Sequence, residues 1–174
     1  VLVSPSGAMS RLEHLRHKPP QSLERPRELV LALPQLRSNV NLSRIVRAAG
    51  CCGVPRIYTC GKPKIDREVA RDAVDTVEII AHRSLPPVLK NLKAEGYALV
   101  GLEQTTHSQS LYEFAFPRRT ALVLGHERQG LTDDVLALLD AAVEIPVYGQ
   151  PFAHNVATAA AMALYEYCRQ FPNG

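Results

Sequence analysis

Apolar residues along the chain fall into two kinds of run. Glu28–Leu33 reads Glu-Leu-Val-Leu-Ala-Leu and is closed by Pro34; Arg56–Cys60 is closed by Gly61; Val77–Ala81, Tyr97–Leu102, Thr120–Leu124 and Val143–Val147 follow. Runs this short, with few polar breaks, predict strands buried on both faces. Between them, Leu42–Gly50 sets Leu42, Ile45, Val46 and Ala49 at helical spacing. Asp66–Val74 and Pro87–Glu95 also predict helices, the second ended by Gly96, and Thr132–Asp140 opens with acids where the helix dipole favours them. Asn155–Phe171 carries Val156, Ala159, Ala160, Ala163, Leu164, Tyr167, Cys168 and Phe171 on one stripe, which predicts a long final helix. The polar stretch Glu103–Arg119 is assigned no element, and Ser10–Arg16 can form a short helix that Pro19, Pro20 and Pro26 keep from continuing. Strands alternating with helices predict an α/β fold: an open, mostly parallel sheet with helices on both faces.

The 174 residues suit one domain with a full core. We divide them into a polar, basic N-terminal arm (1–27) and a single domain (28–174). The first methionine is Met9, and residues 1–8 are set aside from the fold reading. The chain has no stretch of eighteen apolar residues, and its opening apolar run is too short for a signal peptide, so no membrane span and a cytoplasmic location are expected. Cys51, Cys52, Cys60 and Cys168 form no C-x-x-C pair and have no histidine at ligand spacing. That argues against a zinc site or a disulfide framework and predicts buried free thiols. Charge is uneven: residues 1–56 hold nine Lys/Arg against three acids, although the whole chain is only +3. A basic first third fits a polyanionic partner such as nucleic acid, and equally a solvated basic face.

Ligands of such sheets sit beyond the carboxyl ends of the strands, which directs attention to three loops. In Leu124-Gly125-His126-Glu127-Arg128-Gln129-Gly130-Leu131, Leu131 stands where a phosphate loop needs lysine, and Gly130 stands where a metalloprotease needs its second histidine. What remains is a tight glycine turn bearing a carboxylate. Gln35–Ser43 offers several helix caps, and Ser43, Arg44 and Arg47 are expected on one exposed face, where a helix N-terminus and arginines can hold phosphate. Ile145–Asn155 carries Pro146, Gly149 and Pro151, which fix an irregular, rigid path into the alanine-rich helix. The plain reading of His154 is a loop or capping residue. The alanines permit close helix approach in the core or at a dimer seam.

Together the three loops resemble the SpoU (TrmH-like) branch of the SPOUT RNA methyltransferases. Asn41-Leu42-Ser43-Arg44-Ile45-Val46-Arg47 matches that family's first element, Leu124-Gly125-His126-Glu127 its second, and Ile145-Pro146, Gly149 and Ala153-His154-Asn155-Val156 its third. Gly101-Leu102-Glu103-Gln104-Thr105 looks like the tRNA-ribose members. The resemblance implies S-adenosylmethionine as methyl donor, bound without metal, and a ribose 2′-hydroxyl of RNA as acceptor, with tRNA favoured over rRNA. It also implies a C-terminal trefoil knot and a homodimer. Carried over by position, Leu102, Gly125, Ile145, Ala153, His154 and Asn155 would line the cofactor pocket. Asn41, Arg47, Glu127 and Asn155 would form the catalytic cluster, and Arg37, Arg44 and Arg47 would hold RNA. Proposals for the family cast its arginine as general base, yet a guanidinium stays protonated, so Arg47 is expected to clamp phosphate and support the developing alkoxide. One departure stands out: Ala153-His154 replaces the family's serine-leucine pair. It supports the alternative of an RNA-binding protein of this fold that does not methylate. An unrelated phosphate-binding α/β enzyme is the third reading.

Overall fold

The computed structural model describes residues 12–16 and 18–174. Its centre is one seven-stranded sheet, ordered β3-β2-β1-β6-β4-β7-β5, in which every paired neighbour is parallel. The strands are β1 (Leu29–Leu33), β2 (Arg56–Cys60), β3 (Glu78–His82), β4 (Ala98–Leu102), β5 (Gln109–Ser110), β6 (Thr120–Leu124) and β7 (Ala141–Glu144). The expected α/β architecture is thus present, with the sheet parallel throughout. Continuous apolar runs go to the centre because both faces are covered. Leu29, Leu31 and Leu33 of β1 pack on one side with α1 (Asn39–Cys51) and α6 (Val156–Gln170), while Val30 and Ala32 pack on the other with α4 (Leu85–Ala94) and Val135 of α5 (Asp133–Leu136).

Several elements differ from the sequence-based expectation. The helix expected over 66–74 is two short turns, α2 (Arg67–Ala70) and α3 (Ala73–Thr76), because Arg71 between them has a φ of 57° that no helix accommodates. α1 begins at Asn39, three residues early, since Ser38 is its N-cap and accepts the Asn41 N–H. α4 begins at Leu85, with prolines tolerated in its first turn. α5 is a single turn rather than a helix to Asp140, and β7 ends at Glu144, ahead of Pro146. The unassigned stretch holds the two-residue edge strand β5. No helix forms over residues 12–16; Ser10 and Arg11 lie outside the described residues. Two burial expectations also change. Cys51 is exposed and Cys168 only half-buried. Ser43 does not share the exposed face of Arg44 and Arg47: it is fully buried, with its Oγ donating to the Asn39 carbonyl and accepting the Asp66 N–H.

From β1 the chain moves outward to β2 and β3, whereas β6, β4 and β7 lie on the other side of β1. The reversal opens a crevice at the carboxyl ends of β1 and β6, the place where open parallel sheets bind ligands.

Candidate active site

Three segments meet in that crevice. Ser38 starts α1, Glu127 follows β6, and Asn155 caps α6 by accepting the Ala157 N–H at 2.9 Å and the Thr158 N–H at 3.4 Å. Glu127 ties them together: its Oε2 accepts the Arg37 N–H and its Oε1 the Ser38 N–H, each at 3.0 Å. Asn41 Nδ2 donates to Glu127 Oε1 at 3.3 Å, and Asn155 Nδ2 donates to Asn41 Oδ1 at 3.2 Å. Asn41 therefore relays a hydrogen-bond chain from the carboxylate to the start of α6. Partial burial alone would push the Glu127 carboxyl up, but the two backbone N–H donors and the Asn41 amide outweigh it and hold the group below its ordinary value. A carboxylate so bonded stays ionised and serves as an anchor.

The glycine turn after β6 is built as tightly as its sequence suggests. His126 and Gly130 exchange both backbone hydrogen bonds at 3.0 Å, and His126 Nδ1 accepts the Arg128 N–H at 3.2 Å. Gly130 has φ 64°, and a Cβ there would come within 2.5 Å of Glu103 Oε2. A Cβ at Gly125 would meet the Gly130 backbone at 2.9 Å. Glu103, the first residue after β4, braces this turn by accepting the Leu131 N–H at 3.0 Å. The sequence offered only a weak signal for it, a carboxylate directly after an apolar strand.

Beyond β4, β6 and β7 lie two contiguous cavities of about 350 and 110 Å³. They share Leu102, Glu103, Ala153, His154 and Ala159; Gly125 and Asn155 line the larger and Ile145 the smaller. All six residues expected around a cofactor are thus at one place, joined by Leu124, Val147 and Val156 as apolar wall and by the carboxylates Glu103, Glu127 and Glu144. Apolar walls with carboxylates suit a flat heterocycle carrying a cationic centre.

Asn41, Glu127 and Asn155 line the larger cavity, but Arg47 does not. It lies six residues along α1 from Asn41, about 9 Å in rise and roughly 120° around the helix, exposed, with Nη1 3.5 Å from the Val69 carbonyl. Arg44 is also exposed, one turn nearer. Arg37 offers its backbone to Glu127 and lines a separate groove.

Comparison with known proteins agrees with this geometry. The SpoU rRNA Methylase family matches residues 28–165. The tRNA (guanosine(18)-2'-O)-methyltransferase of Escherichia coli (strain K12) is 28% identical over 149 residues, a match covering 84% of this chain and 65% of that relative, so the chain spans just under two thirds of the relative's length. The crystal structure of the A. aeolicus TrmH/SpoU tRNA modifying enzyme superposes with a TM-score of 0.81 at 27% identity, covering 86% of this chain and 78% of that one. AviRb from Streptomyces viridochromogenes, a SpoU methyltransferase solved in complex with the cofactor AdoMet, gives 0.72 at 25% identity, over 86% and 60% of the respective chains.

Proposed function

The chain belongs to the SpoU rRNA methylase family, and from that premise we propose that it methylates a ribose 2′-hydroxyl of RNA, tRNA in preference to rRNA, with S-adenosylmethionine as donor. The observation that carries this reading is the convergence of Leu102, Gly125, Ile145, Ala153, His154 and Asn155 on one composite cavity beside the Asn41–Glu127–Asn155 network. The lining fits the donor: apolar walls for its adenine, and Glu103, Glu127 and Glu144 as counter-charges for its cationic groups. When bound, S-adenosylmethionine supplies a methyl group activated by a positively charged sulfur. Ala153 and His154 hold their side of the pocket through backbone, so the missing serine hydroxyl is no bar to binding.

The remaining work falls to the chain's own residues. Glu127 keeps the starts of α1 and α6 in register through Asn41, leaving its oxygens committed to N–H donors and unavailable as a proton acceptor. Arg47, permanently charged, holds the phosphate beside the target ribose and favours the alkoxide that forms as the 2′-hydroxyl loses its proton. Arg44 and Arg37 extend this basic surface, to which the arm of residues 1–27 adds further positive charge. A second copy of the chain completes the RNA-binding surface, and the crossing of the C-terminal segment is the family's trefoil knot. Two measurements test the reading: calorimetry with S-adenosylmethionine, and transfer of tritiated methyl groups to tRNA and rRNA transcripts, with the product mapped by mass spectrometry. Label on a tRNA 2′-oxygen is expected. Binding of both ligands without transfer overturns the activity and leaves an RNA-binding protein on this fold.

A further inference from the structure

The largest cavity among the described residues, about 770 Å³, lies outside the cofactor pocket. It runs along the carboxyl ends of β1, β2 and β3, as the smaller cavities do along those of β4, β6 and β7, and His126 and Gly130 form the wall between the two. Its floor is apolar, with Leu36, Leu85 and Leu131 all buried. Its rim is cationic: Arg37, Lys62 and Lys64 line it, with no carboxylate among the lining residues. Among the described residues none of these three cations is in an ion pair, unlike Arg56, Arg67, Lys93, Arg119 and Arg169. The rim is held in shape by the turn at Gly61, whose φ of 74° carries the chain from β2 into the lysine segment and leaves room for the Gln35 side chain against it. At the far end Ser84, the N-cap of α4, makes no side-chain capping bond, so the first turn of a ten-residue helix faces the groove with its dipole.

We propose that this groove seats the nucleotide being methylated, turned out of its stack, with the base on the apolar floor and a phosphate among Arg37, Lys62 and Lys64. The inference rests on the RNA-methyltransferase reading above. The base and the 2′-hydroxyl are on adjacent ribose carbons, so a ribose at the Asn41–Glu127–Asn155 network, facing the cofactor pocket, directs its base to the other side of the His126–Gly130 wall. An apolar floor with unpaired cations at the rim is the chemistry that recognises an extruded base and its phosphate.

The test uses the full chain and the variants Lys62→Ala, Lys64→Ala and the double variant. Lys90→Ala serves as control, since Lys90 is exposed on α4 and does not line the groove. Binding of a fluorescein-labelled single-stranded RNA and of a tRNA transcript is followed by anisotropy across a salt series, and S-adenosylmethionine binding by calorimetry. The double variant is expected to bind RNA about 10-fold more weakly and to lower the salt slope by about 1.4, roughly 0.7 for each lost phosphate contact on a single strand. Its KM for RNA should rise in step, with kcat and cofactor affinity as in the parent. RNA binding like that of Lys90→Ala overturns the groove, as does a parallel loss of cofactor affinity, which would mark the lysines as structural. A parent chain that binds S-adenosylmethionine but no RNA overturns the RNA reading itself, and the groove with it.

Discussion

Glu127 and Arg47 divide the labour of the site in a way the two side chains make testable. Glu127→Ala leaves the Arg37 and Ser38 N–H groups without their acceptor, and each such loss costs about 1–3 kcal/mol. A lowered melting temperature in differential scanning calorimetry, together with weaker S-adenosylmethionine binding, is the expected outcome. Because the folded carboxyl lies below its ordinary value of about 4.3, it contributes stability that is complete above that value and disappears as pH falls through the lowered one. The melting-temperature gap between the parent and Glu127→Gln should therefore be constant from pH 7 to about 5 and narrow below about 4. A gap that widens with acid would contradict the assignment. Arg47→Ala is expected to reduce single-turnover methylation by at least about 100-fold, the scale of removing one preorganised charge donor. Arg47→Lys, which keeps the charge and loses the planar fork, should retain only a small part of the activity. Both should bind S-adenosylmethionine normally, since Arg47 lies outside that cavity. Near-normal turnover by Arg47→Ala would remove the residue from the mechanism.

At the level of elements, the cofactor pocket depends on turns braced against each other across the sheet. Gly130→Ala forces a left-handed conformation worth about 1–2 kcal/mol and drives a methyl group into the Glu103 carboxylate. Weaker S-adenosylmethionine binding is expected, and the double variant Gly130→Ala/Glu103→Ala should regain only the part due to that clash. Full recovery in the double variant, read by calorimetry, would show that backbone conformation is not what glycine provides there. Asp140 plays a similar part between β4 and β7. Its Oδ2 accepts the Leu99 N–H at 2.9 Å, its own N–H donates to the Leu99 carbonyl at 2.9 Å, and Lys93 Nζ lies 2.7 Å from Oδ1. Where elements depart from the sequence-based expectation, the reasons are local conformations invisible to periodicity. Arg71 adopts a positive φ inside a stretch whose apolar spacing is helical, and Ser38 captures the Asn41 N–H before the first periodic apolar residue.

For the whole molecule, the balance of surface chemistry decides the expected assembly. Tyr148, Phe152 and Tyr165 are 95%, 74% and 57% exposed, the first two on the loop beside the cofactor cavities and the third on α6. Apolar area of this kind next to a binding site is what a second copy would cover. A dimer by light scattering at micromolar concentration is expected, with Tyr165→Asp shifting it toward monomer. A stable monomer of the parent chain would contradict the expectation. The arm joins the domain at Arg27, which is 7% exposed and donates to the carbonyls of Cys52 and Phe171, linking the ends of α1 and α6. This contact sets the arm's last residues on the helical face of the sheet opposite α4.

Patterns confined to a few neighbouring residues were decided by the sequence itself. Apolar runs specify the buried strands, the stripe from Val156 to Phe171 specifies α6, and the loops around Asn41, Glu127 and Asn155 stand out by their residue chemistry alone. Burial and turn preferences act over a few residues, so they are legible there. Tertiary structure alone decided which of these residues meet. Asn41 and Asn155 are 114 positions apart and touch because β1 pairs with β6, a strand ninety residues away in register, Leu29 beside Thr120. The same pairing commits Glu127 to backbone donors, turns Glu103 into a brace, buries Ser43 and leaves Arg47 on another side of α1. It also brings Lys62 and Lys64 to the edge of a groove whose other wall comes from residues 126–135. Hydrogen-bond saturation and the pairing of charges depend on neighbours across the sheet, and sheet order is a property of the folded chain as a whole.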